Sequence, residues 1–111
     1  MSGKRGRPTK FKHKYHKIIT DLMAKGYSKS SVAGALSINR KTLYSWCQTN
    51  NELSNTIKIG ELRSFRFWEK IGMLGLMGKL DNFNSSVWIF IMKTRFHKIL
   101  RQDKELSEGF N

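Results

Sequence analysis

From Phe11 onward the apolar residues Tyr15, Ile18, Ile19, Leu22 and Met23 recur at helical spacing. Gly26 reads as the stop of that first helix. Ser28 is a good N-cap, and Val32, Ala33 and Leu36 carry a second, shorter stripe. Ser37-Ile38-Asn39 is short and polar enough for a tight turn. Asn39 is placed to cap a third helix in which Leu43 and Trp46 face inward. Thr49-Asn50-Asn51 ends it. A longer helix is expected over residues 52–71, its apolar face made of Leu53, Ile57, Leu62, Phe65 and Trp68.

Gly72, Gly75 and Gly78 weaken a helix by about 1 kcal/mol each relative to alanine, so they either end it or let another backbone approach closely. Asp81 to Asn84 reads as a loop, with Ser85 or Ser86 as a cap for a last segment over residues 86–101. That segment carries Val87, Trp88, Ile89, Phe90, Ile91 and Met92. It is apolar all round, which places it in a core or in an oligomer interface. Periodicity alone leaves helix and buried strand both open there, with helix preferred. The expected fold class is all-α, with no internal repeat. The pattern divides into a flexible basic arm over 1–10, a helix-turn-helix over 11–50, a helical region over 51–102 and a tail expected to fray over 103–111.

Charge sharpens this division. The 111 residues contain 21 Lys and Arg against 8 Asp and Glu, a formal net charge of +13. Residues 1–50 hold 11 of those basic residues and 1 acidic one, whereas residues 51–111 hold 10 and 7. Such an excess favours a polyanionic partner for the N-terminal half, nucleic acid first and an anionic membrane surface second. The membrane reading is weakened because no long segment combines a basic face with a continuous apolar one. The longest apolar run, Val87 to Met92, is far too short to span a bilayer. No signal peptide is expected, because the basic start has no apolar stretch behind it. Cys47 is the single cysteine, which excludes an intramolecular disulfide and fits a reduced, intracellular setting.

Ser28 to Gln48, "SKSSVAGALSINRKTLYSWCQ", therefore has the form of a helix-turn-helix. A helix fits the major groove, and a partner helix has to brace it against the DNA backbone. Ala33 is small where the two helices cross, and Val32, Leu36, Ile38, Leu43 and Trp46 supply the shared core. That leaves Arg40, Lys41, Tyr44, Ser45 and Gln48 on the outer face of the third helix, with Asn39 and Thr42 at its start. Arg, Lys, Ser and Gln side chains donate to base edges or phosphates. Ser30 and Ser31, near the start of the second helix, are placed to bond phosphates through hydroxyls and backbone amides. The segment resembles the helix-turn-helix of homeodomain-like proteins, with Ser37 standing where that turn often has glycine.

Lys4-Arg5-Gly6-Arg7-Pro8 resembles the core of an AT-hook. There an extended Arg-Gly-Arg lies in the minor groove, and glycine lets the backbone press on the groove floor while both arginines follow its walls. A·T tracts suit this because their minor groove is narrow and strongly negative. Arg5 and Arg7 are the residues so implied. A solvated basic tail is the plainer reading of the same residues.

Catalytic chemistry is not expected. Gly72 to Lys79 fails as a phosphate loop, since position 73 is Met where glycine is needed and Leu80 stands where Ser or Thr is needed. His13, His16 and His97 have no carboxylate or cysteine partner at ligand spacing, so no metal or cofactor is expected, and His13 and His16 read as solvated or near phosphate. Cys47 reads as a packing or surface residue rather than a nucleophile.

The whole layout resembles the small terminase subunits of tailed bacteriophages and prophages. The resemblance rests on "GRPTKF", the helix-turn-helix and "FWEKIG…GLMGK…FN…WIFIMKTRF", and covers residues 5–97. It implies a non-catalytic subunit that binds the packaging site on double-stranded viral DNA, assembles as a homo-oligomeric ring, and hands DNA to a terminase large subunit holding the ATPase and nuclease. Arg40, Lys41, Tyr44 and Gln48 would be its DNA contacts, the apolar C-terminal half its oligomer contacts, and the host bacterium's cytoplasm its location. A helix-turn-helix transcriptional regulator or a transposase-type module is the alternative.

Overall fold

The computed structural model describes residues 10–109 and contains six α-helices, with no strand among the described residues. The fold is all-α. The chain divides after Phe67 into two compact units.

In the first unit, α1 (Tyr15–Ala24) buries Tyr15, Ile19 and Met23, one side chain per turn. Phe11 does not belong to the helix. It precedes a turn closed by Tyr15 N–H on the Lys12 carbonyl at 2.9 Å, and packs edge-on against Tyr15, His16 and Trp46. At the other end Gly26 takes φ 96°, while Gly26 N–H donates to Met23 and Tyr27 N–H to Leu22. This is a Schellman cap, which needs a left-handed residue.

α2 (Lys29–Ala35) starts on Ser28, whose Oγ accepts from Ser31 N–H. Its end repeats the Schellman pattern with Ser37 at φ 59° in the left-handed position. The turn thus keeps the geometry glycine favours without having glycine. α3 (Arg40–Thr49) starts on Asn39, whose Oδ1 accepts from Thr42 N–H at 2.8 Å. α4 (Asn51–Leu76) follows after one residue, Asn50, whose Oδ1 accepts from Leu53 N–H.

Val32, Ala33, Leu36, Ile38, Leu43, Leu53 and Ile57 join the α1 residues in one core, with Trp46 partly buried against it. Leu62, expected on the inner face of the long helix, is instead 57% exposed. Gly60 and Ser64 take the inner positions. Glycine at 60 lets Met23 lie directly against the backbone of α4. Buried Ser64 donates a bifurcated hydrogen bond to the carbonyls of Met23 at 2.6 Å and Tyr27 at 3.0 Å, which supplies the end of α1 with a donor.

In the second unit, α4 continues past Gly72 and Gly75 and stops at a third Schellman cap with Gly78 at φ 76°. Gly78 thus ends the helix as expected, whereas Gly72 and Gly75 neither end it nor admit a backbone. They admit aromatic rings: Trp88 lies against Gly72 and Phe83 against Gly75, where a Cβ would collide. Trp88 also donates its indole N–H to the Trp68 carbonyl at 2.7 Å.

Asn84, rather than Ser85 or Ser86, caps α5 (Ser85–Arg95) by accepting from Val87 N–H. Residues 86–101 are helical but not one helix. Buried Phe96 separates α5 from α6 (His97–Gly109), which continues past Asp103 to the last described residue. Val87, Ile89 and Phe90, expected in a core or an oligomer interface, are 53%, 43% and 66% exposed within the chain, so they are not part of a core in this unit.

Candidate nucleic-acid interface

The outer face of α3 follows from its inner one. Leu43 is fully enclosed and Trp46 is held against Phe11 and Tyr15, so the opposite side is left to solvent. Arg40, Lys41, Tyr44, Ser45 and Gln48 are all exposed there. Neither Arg40 nor Lys41 is in an ion pair among the described residues. From Ser28 to Thr49 the chain has Lys29, Arg40 and Lys41 and no Asp or Glu. Residues 10–67 as a whole hold 11 Lys and Arg against 3 Asp and Glu. The face is therefore cationic and its guanidinium and ammonium groups remain available to an anion.

The remaining expected residues are placed less uniformly. Ser30 is exposed at the start of α2. Ser31 is exposed as well, but its amide is committed to Ser28 Oγ at 3.2 Å, so it offers phosphate a hydroxyl and not the backbone donor expected. Asn39 is exposed while its Oδ1 serves as the helix cap, and Thr42 is half-buried. Arg5 and Arg7 lie outside the described residues. His16, read as solvated, is largely enclosed by Phe11, Thr56 and Glu52.

Lys29 is the neighbour the sequence reading passed over. Its Nζ sits 5.7 Å from the centre of the Tyr44 ring and 3.4 Å from Glu61 Oε1. A cation over the ring face steadies Tyr44 while its edge stays in solvent. The only signal in the sequence was a lysine directly after an N-cap.

Residues 20–57 match a family model described as "Putative ATPase subunit of terminase (gpP-like)". The match runs from within α1 through α2 and α3 into the first turns of α4. The match supports a terminase-related protein. That relation supports a role in DNA packaging, alongside other terminase components. No curated protein and no solved structure matches the chain.

Two further placements bear on the chemistry of this chain. Burial pushes the Cys47 thiol above its ordinary value, with Lys29 offsetting part of the effect, so the neutral thiol is favoured. The glycine run 72–78 is α4 and its capping turn, with two of its glycines covered by Trp88 and Phe83. No helix of the described residues is long and apolar enough to cross a membrane.

Proposed function

We propose that this chain is the DNA-recognising small subunit of a packaging terminase. α3 enters the major groove, with Arg40, Lys41, Tyr44, Ser45 and Gln48 reaching base edges and phosphates. α2 braces it, with Ser30 and Ser31 hydroxyls against the DNA backbone. The observation that carries this reading is the exposed Arg40 and Lys41 on the outer face of α3, with no Asp or Glu from Ser28 to Thr49, inside the segment that matches a terminase family. Arg5 and Arg7 reach the adjacent minor groove. The exposed apolar residues of α5 join copies of the chain into a homo-oligomeric ring, and the ring presents DNA to a large subunit that holds the ATPase and nuclease, in the cytoplasm of the host bacterium. The chain itself is not an enzyme.

Light scattering on the purified chain, alone and with duplex DNA, tests this directly. A multi-subunit assembly that binds duplex supports the packaging role. A dimer that binds a short palindrome favours a regulator or transposase-type module instead. Replacing Arg5 and Arg7 with alanine is expected to weaken binding to A·T-rich duplexes more than to G·C-rich ones. Equal losses reduce the arm to a charge tether.

The family description also names an ATPase subunit. DNA-stimulated ATP hydrolysis by this chain alone would favour that role over the one proposed.

A further inference from the structure

Two histidines near the start of α1 meet a carboxylate from the start of α4. His13 lies in the turn before α1, His16 in its first turn and Glu52 in the first turn of α4. One ring nitrogen of each histidine and one carboxylate oxygen of Glu52 all lie within 4.8 Å of one another. The rings of His13 and His16 are 5.2 Å apart, centre to centre.

The hydrogen bonds around His16 favour one tautomer. Thr56 Oγ1 donates its one proton to the Glu52 carbonyl at 3.0 Å. At 2.8 Å from His16 Nδ1 that hydroxyl is therefore the acceptor, and Nδ1–H the donor. Nε2 is left with its lone pair. It is buried with no hydrogen-bond partner among the described residues, although Glu52 Oε1 is only 3.2 Å away. A lone pair beside a carboxylate oxygen is repulsive unless a cation lies between them. A proton would serve that pair alone and has no use for a third donor. His13 supplies one.

We infer that His13, His16 and Glu52 bind a divalent transition-metal ion, Zn²⁺ above all, with solvent completing a four-coordinate shell. Imidazole nitrogen and carboxylate oxygen suit zinc, and two His with one Glu is a recurrent zinc donor set. Bonds of about 2.0–2.2 Å in a tetrahedron place donors about 3.3 Å apart, close to the Nε2–Oε1 separation seen. Thr56 acts one step out, holding the His16 ring so that Nε2 points at the ion. The ion would clip the turn before α1 to the start of α4, and so stabilise the helix-turn-helix unit by binding the folded chain in preference to the unfolded one. This inference does not depend on what the α3 face binds.

The test uses the full chain, stripped with a chelator and titrated with zinc chloride, followed by calorimetry and thermal unfolding. About one ion per chain is expected to bind, with Tm rising by several degrees. Cobalt chloride in place of zinc should give the visible absorption of a four-coordinate site. His13→Ala and Glu52→Gln alter exposed side chains. Each should keep the helical circular dichroism of the metal-free chain, weaken zinc binding by about tenfold or more, and abolish the Tm rise. Cys47→Ser should bind as the unaltered chain does. No zinc binding, full binding by both His13→Ala and Glu52→Gln, or loss of binding in Cys47→Ser would each overturn the inference.

Discussion

The two compact units of this chain treat apolar surface in opposite ways. In residues 10–67, Ile19, Val32, Leu43 and Leu53 are fully enclosed and one core unites α1, α2, α3 and the start of α4. In residues 68–109 the buried apolar residues are Met92 and Phe96, whereas Met73, Leu76, Met77, Val87, Ile89 and Phe90 are exposed. Charge divides the same way: 11 basic against 3 acidic residues in the first stretch, 7 against 5 in the second. The first unit completes its burial within the chain and directs its charge outward. The second is near charge balance and leaves large side chains uncovered, which is how surfaces that meet other proteins are built. In the second unit, large apolar residues that would ordinarily make a core stay exposed within the chain.

The largest test of this contrast is a pair of truncations. Leu53→Ala removes a fully enclosed side chain and should cost about 2–5 kcal/mol in urea unfolding followed by circular dichroism. Phe90→Ala, in the other unit, should cost less than about 0.5 kcal/mol in the unassembled chain. Equal losses would break the comparison. Ser64→Ala comes next: two carbonyls at the end of α1 lose their buried donor, for about 1–3 kcal/mol. A neutral result there would mean that water replaces the hydroxyl at no cost. Ser37→Gly should act in the opposite direction, raising stability by about 1 kcal/mol, because serine is held at φ 59° where glycine is unstrained. Destabilisation by that change would show that the serine side chain contributes more than its backbone geometry costs. Phe90→Asp should alter stability least of all, yet lower the mass of any assembly seen by light scattering. An unchanged mass would remove Phe90 from the assembly surface.

What the sequence reveals and what it hides follow the range of the interactions. Gly26, Ser28 and Asn39 end or begin helices through bonds to residues a few positions away, so local pattern suffices to place them. Val32, Leu43 and Trp46 could be assigned inward for the same reason, and the outer residues of α3 then followed by elimination. Leu62 falls on a stripe of large residues, whereas the face that packs on α1 is made by Gly60 and Ser64, which a hydrophobic pattern does not mark. Asn84 was passed over as a cap because two serines follow it directly. The break at Phe96 depends on that ring being buried, which periodicity does not report. The meeting of His16 with Glu52 and Thr56 joins α1 to α4, and no local spacing announces it.

The central claim is that the outer face of α3 holds DNA. The most direct measurement is the affinity of the chain for a duplex at several salt concentrations, before and after replacing both Arg40 and Lys41 with alanine. Each cation that neutralises a phosphate adds about 0.9 to the slope of log affinity against log salt. The double variant should therefore bind more weakly, with a slope shallower by up to about 1.8, while keeping its helical circular dichroism. Unchanged affinity and slope would contradict the claim and move the DNA contact, if there is one, away from this helix.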